Sequence, residues 1–171
     1  MPVLTLRIIH DGLLAVVAPL GAALSVGTAL VVDLDPAAPP LPGRRSVADV
    51  IAEGPTAHDL APVRRGIAVL PSGGADPGSV EDLVEHLARG WPFVVMRVGA
   101  TVGRATVVAP VFGAPVAADV LQPTGLGPVP SSVDGVVLPR LGPRTARAVA
   151  SGRSTGGRWV RAWRSVWAVA S

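Results

Sequence analysis

The longest uncharged stretch of the chain, residues 12–32, most restricts what it can fold into. It holds 21 residues between Asp11 and Asp33, which is the length that a helix needs to cross a bilayer. Pro19 and Gly21 interrupt it, and residues 25–28 have the pattern of a helix end followed by a turn. We therefore predict a helix of about 13 residues and then a short buried strand. A membrane-anchored accessory protein that uses residues 12–32 as a span is the alternative.

Strands and helices alternate along the rest of the first hundred residues. The patterns predict strands over 3–9, 28–34, 66–70 and 92–98, and helices over 13–24, 46–53, 56–60 and 79–89. Ser46 and Ser79 are the predicted N-caps of two of these helices. The apolar residues of 28–34 are continuous, as in a parallel strand that is buried on both faces. This order indicates an α/β fold with a mostly parallel, doubly wound sheet flanked by helices.

The pattern is weaker in the C-terminal half. Strands are predicted over 106–109 and 135–138, a loop-rich stretch over 110–130, and helices over 143–151 and 158–170. We divide the chain into an α/β domain, residues 1–152, and a basic, Trp-rich C-terminal helix, residues 153–171, that docks on it.

Composition excludes several kinds of chemistry. The chain has no cysteine and no tyrosine, and all 15 of its basic residues are arginine. It therefore lacks thiolate metal sites, Schiff-base lysines and a phosphate-binding lysine. The three histidines are scattered without metal-ligand spacing. We predict no catalytic residue, no metal and no cofactor, and a Cys-free chain fits a cytoplasmic location.

Four consecutive segments carry a family resemblance. Residues 31–36 read as a buried strand that ends in Asp-x-Asp-Pro, and residues 46–51 as a short helix after it. Residues 67–73 read as a strand that ends in Pro-Ser-Gly, and residues 91–97 as one more apolar strand. In this order the segments resemble the ParA/MinD-type ATPases, which have a deviant Walker motif. The resemblance covers residues 3–110 and implies a truncated P-loop-NTPase-like fold.

The departures from that family concern its chemistry. A phosphate loop should follow the first strand, but only Ile9-His10-Asp11-Gly12 stands there, without lysine and with an acid that repels phosphate. Arg97 occupies the position of the Walker B acid that helps to hold magnesium. The residual motif is Asp33, Asp35 and Pro36, and we expect the two acids to end the strand and cap the turn. The resemblance thus implies a pseudo-ATPase rather than an enzyme.

Charge is unevenly distributed between the two parts of the chain. Residues 1–134 carry eight arginines and twelve acidic residues, a net charge of −4, whereas residues 135–171 carry seven arginines and no acid. A basic tail on an acidic body suggests an anionic partner, or pairing of the tail with the chain's own acids.

The last helix is amphipathic. Trp159, Trp163 and Trp167 fall on one face at 100° per residue, and Arg158, Arg161 and Arg164 fall on the other. The Trp face can dock in cis or on a protein partner, lie on an anionic membrane, or meet nucleic acid. We favour docking, because a chain this short needs its apolar helices to cover the sheet.

The function that we expect is therefore binding. A non-catalytic ParA/MinD-like protein would act as a positioning, scaffold or assembly component, at a cell-division site, in pilus or secretion-system localisation, or in DNA segregation. The expected partner is a protein or a second copy of this chain. An anionic membrane is less favoured as a partner, and nucleic acid is the least favoured. The expected location is cytoplasmic, or peripheral at the inner face of the membrane. The competing class is a small α/β enzyme that uses Asp33, Asp35 and His10.

Overall fold

The computed structural model describes residues 2–8, 12–63, 65–76, 80–99, 105–110, 131–133, 136–153 and 156–170. The described strands are β1 (Val3–Ile8), β2 (Thr28–Leu34), β3 (Gly66–Leu70), β4 (Val94–Val98), β5 (Thr106–Pro110), β6 (Ser131–Val133) and β7 (Val136–Leu138). The described helices are α1 (Gly12–Val26), α2 (Val47–Glu53), α3 (Ala57–Leu60), α4 (Glu81–Gly90), α5 (Pro143–Ala150) and α6 (Arg158–Ala170).

The strands form one sheet in the order β3-β2-β4-β1-β5-β6-β7. The pairs among β1 to β5 are all parallel, and β6 and β7 add antiparallel pairs at one edge. Helices lie on both faces of the sheet, so the predicted α/β fold with a mostly parallel sheet is confirmed. Because β2, β3 and β4 are parallel neighbours, the loops that follow them meet at one edge of the sheet.

Local sequence signals explain why several elements lie where they were predicted. The ranges predicted for β2, β3 and α6 are the observed ones. Ser46 caps α2 through a reciprocal capping box with Asp49, in which each residue bonds the other's backbone N–H. The backbone and hydroxyl hydrogen bonds from Ser46 hold the pKa of Asp49 below its ordinary value. Gly54 ends the same helix at a positive φ of 81°.

Helix α1 runs from residue 12 to residue 26 through Pro19, and it contains the whole of the helix predicted over 13–24. Two other elements differ from the prediction. The N-cap of α4 is Val80 rather than Ser79, which lies outside the described residues, and the helix begins two residues later than predicted. Strand β6 was not predicted, since its three residues carry no periodic signal. Residues 111–130 of the predicted loop-rich stretch lie outside the described part.

Residues 12–32 do not form one membrane span. They divide into α1 and most of β2, which pairs on both sides within the sheet. In the described part of the chain, no helix combines the length and apolar character that a bilayer crossing requires. The apolar run instead supplies a core helix and a central strand, which both need continuous apolar sequence.

Helix α1 is buried almost all round, because the sheet covers one side and α5 and α6 cover the other. Apolar side chains of α1, β1 and α6 share one core on this face of the sheet. A second core on the opposite face joins β2 and β4 with α2 and α4. The alternating side chains of β2, with Val31 in the first core and Leu30 and Val32 in the second, connect the two layers.

The closest packing in the first core is between α1 and α6. A Cβ atom placed on Gly21 would lie 2.2 Å from Cζ3 of Trp159 and 3.2 Å from Nε1 of Trp163. The absence of a side chain at Gly21 therefore lets the indole rings lie against the backbone of α1. The position of α6 depends on this glycine.

Replacement of Gly21 by alanine should lower the free energy of unfolding. Alanine gains about 1 kcal/mol over glycine in a helix interior. The clash with Trp159 forces a shift of the ring, and overpacking of this kind costs about 1–3 kcal/mol. Urea unfolding followed by Trp fluorescence measures the balance.

Gly12→Ala is the matched control, because it makes the same change in the same helix. The nearest atom to its Cβ would be Cγ of Pro39 at 3.7 Å, an ordinary contact. We expect Gly12→Ala to be neutral or slightly stabilising. The packing of α6 on Gly21 would be disproved if the two variants were equally stable.

Candidate functional site

A buried ion pair lies at the edge of the sheet where β2, β3 and β4 end. Asp33 of β2 and Arg97 of β4 are direct neighbours across the parallel ladder. Nε of Arg97 donates to Oδ1 of Asp33 at 2.8 Å, and Nη2 donates to Oδ2 at 2.6 Å. The residues are 1% and 0% exposed, so the bidentate pair is removed from solvent.

The remaining acceptor positions of Asp33 are also used. The backbone N–H of Asp35 donates to Oδ1 at 3.0 Å, and that of Ser72 donates to Oδ2 at 3.3 Å. Each carboxylate oxygen thus accepts two hydrogen bonds, and a carboxylate offers about four lone-pair positions in all. Asp33 has no position left for a metal ion or a substrate proton.

The third contact of Arg97 explains why α1 tolerates a proline. Nη1 of Arg97 donates to the backbone oxygen of Ala15 at 2.9 Å. In a regular helix this oxygen would accept from the N–H four residues later, but that residue is Pro19, which has none. The guanidinium takes the place of the missing donor. The ion pair thereby links β2, β4, the end of β3 and the first turns of α1.

Backbone groups near this edge are also satisfied within the chain. The N–H groups of Val47 and Ala48, at the N-terminus of α2, donate to the carbonyl oxygens of Pro71 and Ser72 at 2.8 and 3.3 Å. The connection from β1 to α1 consists of residues 9–11 alone. Three residues thus separate the two elements, whereas the phosphate-loop motif has eight positions.

The structure separates the two acids of the residual motif. Asp35 is partly exposed, and its Oδ1 accepts from the backbone N–H of Ala37 at 3.2 Å, at the turn that contains Pro36. Asp33 is buried and paired with Arg97. The enzyme alternative requires these two acids to act with His10, which lies outside the described residues. No group of three metal-ligating side chains occurs in the described ranges.

The pairing of Arg97 with Asp33 is the functional feature that sequence reasoning missed. Arg97 was aligned with the Walker B acid, and its partner was not predicted. A signal was present, because each residue is the charged group in an otherwise apolar strand, and a buried charge requires a partner. The two strands become neighbours only through the strand order, which the sequence does not display.

The Trp face of α6 lies in the chain's own core. Trp159, Trp163 and Trp167 are buried with Val166 against α1 and the sheet. Nε1 of Trp167 donates to the backbone oxygen of Ala22 at 3.0 Å. The rings that an interfacial helix would present to lipid are thus inside the protein, and the helix is docked in cis.

The arginines of α6 lie on its outer face. Arg158, Arg161 and Arg164 are exposed. Nε of Arg164 donates to the backbone oxygen of Ser25 at 3.1 Å, in the last turn of α1. A cation at this position satisfies a helix-end carbonyl and complements the helix dipole. Arg161 in turn donates a hydrogen bond to the backbone oxygen of Gly156.

Replacement of Arg97 by methionine should destabilise the fold strongly. It leaves the Asp33 carboxylate buried without its cation, and the Ala15 oxygen without a donor. Breaking a buried pair from one side costs about 3–5 kcal/mol. Chemical denaturation measures this loss.

Arg89→Met is the matched control. Arg89 pairs with Glu85 on the surface of α4, at 3.0 Å, and both side chains are about 70% exposed. Surface pairs contribute about 0–1 kcal/mol, so the control should lose little. Equal losses in the two variants would contradict the importance of the buried pair.

The chain was also compared with known proteins. A scan against protein-family models, a search of curated proteins and a search of solved structures each gave no match. The functional interpretation therefore rests on the geometry of the ion pair, on the surface of α6 and on the resemblance of the four sequence segments.

Proposed function

We propose that this protein is a non-catalytic relative of the ParA/MinD-type ATPases and acts by binding, as a positioning, scaffold or assembly component. The observation that carries the proposal is the saturated carboxylate of Asp33. In the family that the sequence resembles, this edge of the sheet serves nucleotide and magnesium. Here an arginine supplies the positive charge permanently, and four donors occupy the carboxylate.

Two further features support the loss of nucleotide chemistry. The residues between β1 and α1 are too few for a phosphate loop, and the chain has no lysine to neutralise a phosphate. The N–H groups that begin α2 bond to the chain's own carbonyls, so they are not available to an anion. At this edge, the Asp33 carboxylate and the first N–H groups of α2 are thus both used within the chain.

A protein that neither binds nor hydrolyses a nucleotide keeps one arrangement of the edge where β2, β3 and β4 end. In switching ATPases, contacts to the terminal phosphate order the loops, and hydrolysis releases them. The Asp33–Arg97 pair holds the ends of β2 and β4 together without a ligand. The proposed activity is therefore constitutive binding, in one of the processes that the resemblance implies: division-site placement, pilus or secretion-system localisation, or DNA segregation.

The enzyme alternative has less support. It requires Asp33 to accept a proton or a metal ion, and all its acceptor positions are used. Asp35 accepts from the backbone of its own turn. A binding function needs neither group to be free, and the cytoplasmic or peripheral location that we propose suits it.

We predict that MgATP and MgGTP do not bind. Isothermal titration should give no heat beyond dilution for either nucleotide. Differential scanning calorimetry is an independent measurement, because a ligand present at a hundred times its Kd stabilises by about 2.7 kcal/mol, which would raise the Tm visibly. A micromolar Kd for either nucleotide would refute the pseudo-ATPase proposal.

We also predict self-association that does not depend on nucleotide. The apolar segment with Val111, Phe112 and Val116, which lies outside the described residues, suits a constitutive interface. Light scattering across a concentration series should give a mass above the 17.3 kDa of one chain, equal with and without MgATP. A mass of one chain at the highest concentration would rule out self-association, and a mass that rises with MgATP would rule out the pseudo-ATPase.

A further inference from the structure

The surface formed by α5, α6 and their flanking segments is uniformly basic. We call it the arginine face, and all its arginines are exposed: Arg140, Arg144, Arg147, Arg153, Arg158, Arg161 and Arg164. No acidic residue occurs from residue 135 to residue 171. Helices α5 and α6 both cover α1, so their outer sides form the surface on this side of the sheet.

The arginine face forms no ion pair with the acidic residues that the structure describes. The ion pairs found among the described residues use Arg45, Arg89 and Arg97, and none uses an arginine of this face. The sequence left open that the basic tail pairs with the acidic body, and no such pair occurs in the described part. The seven arginines are therefore exposed without a counter-charge from the described residues.

Five of the twelve carboxylates of a second copy are already engaged within its own chain, which weakens it as a counterpart. Asp33 pairs with Arg97, Glu85 with Arg89, and Glu53 and Asp59 with Arg45. The carboxylate of Asp49 accepts hydrogen bonds from Ser46. A counterpart for seven guanidinium groups must bring carboxylates or phosphates of its own.

The arginine face also lacks the apolar anchors that other polyanions would require. The large hydrophobic residues found exposed in the described ranges are Leu13, Ile51 and Val63, and none is in α5 or α6. An interfacial helix needs such side chains to enter a bilayer. The Trp rings on which single-stranded bases could stack are buried in the core.

The arginines stand on a rigid frame. Helix α5 ends in a Schellman motif, in which Gly152 has a φ of +68° and the N–H groups of Gly152 and Arg153 bond the Val149 and Ala148 oxygens. Nε of Arg153 donates to Oγ of Ser151 at 3.1 Å, and Nε of Arg164 donates to the backbone oxygen of Ser25 at 3.1 Å. In Arg153 and Arg164, the hydrogen-bonded Nε orients the plane of the guanidinium group. A guanidinium group with a fixed plane favours bidentate acceptors such as carboxylates.

We infer that the arginine face is a docking site for an acidic segment of a partner protein, whose Asp and Glu carboxylates pair with its guanidinium groups. This inference rests on the proposed binding function and specifies the chemistry of the partner. The partner lies over α5 and α6, on the α1 side of the sheet.

The test is a fluorescence-anisotropy titration of the full chain with a labelled peptide of alternating Glu and Asp. The wild type should bind it, with a Kd that rises with salt, because exposed charges are screened. Arg144→Ala combined with Arg158→Ala should weaken binding on the order of tenfold, since each exposed pair contributes up to about 1 kcal/mol. Arg144→Lys with Arg158→Lys should give an intermediate loss, because lysine keeps the charge but not the fork.

The matched control is Arg44→Ala combined with Arg65→Ala, which removes two exposed arginines outside the arginine face. It should bind the peptide as the wild type does. Equal losses in the control, or no peptide binding by the wild type, would overturn the inference. So would tighter binding of duplex DNA, or of vesicles of phosphatidylcholine and phosphatidylglycerol, at the same salt concentration.

The outcome of the peptide titration can be distinguished from the outcome of the nucleotide-binding test of the proposed function. Nucleotide binding together with peptide binding that the alanine pair weakens would refute the pseudo-ATPase and leave the docking site intact. Absence of both nucleotide and peptide binding would refute the docking site alone.

Discussion

The pairing of Asp33 with Arg97 holds together the part of the sheet on which any activity would depend. Taking two charges out of water is costly, and the structure offsets that cost by giving each nitrogen of the guanidinium and each oxygen of the carboxylate a partner. The same bonds fix β4 beside β2 and compensate for Pro19 in α1. The hydrogen bonds that stabilise the pair also occupy the acceptor positions of the Asp33 carboxylate, which leaves none for a ligand.

The C-terminal helix α6 likewise uses, within its own chain, a surface that could have bound a partner. Its Trp face is the part that could have met a membrane, and the core of the chain uses it completely. This arrangement depends on Gly21, where the lack of a Cβ atom lets Trp159 approach the backbone of α1. Since the apolar face is covered, the outer face of the helix carries the interaction that we propose, and that face is rich in arginine.

The two faces of the sheet therefore have different roles. On the α2 and α4 side, some acidic residues form local pairs such as Glu85–Arg89, and surface pairs of this kind contribute little to stability. On the α5 and α6 side the charge has one sign and lacks an internal counterpart in the described ranges. A uniform field attracts anionic partners and speeds their association, which suits a protein whose proposed function is binding.

The sequence by itself determined the elements whose signals are local. An uncharged run that ends at Asp33 predicted β2, Ser46 and Gly54 bounded α2, and helical spacing of Trp and Arg predicted α6. Tertiary structure alone decided that Arg97, 64 residues after Asp33, would neutralise it, because strand order makes these residues neighbours. It also decided what covers the Trp face. An amphipathic pattern indicates that one face of a helix is apolar. The surface that buries this face comes from residues that are distant in the sequence, here α1 with its Gly21.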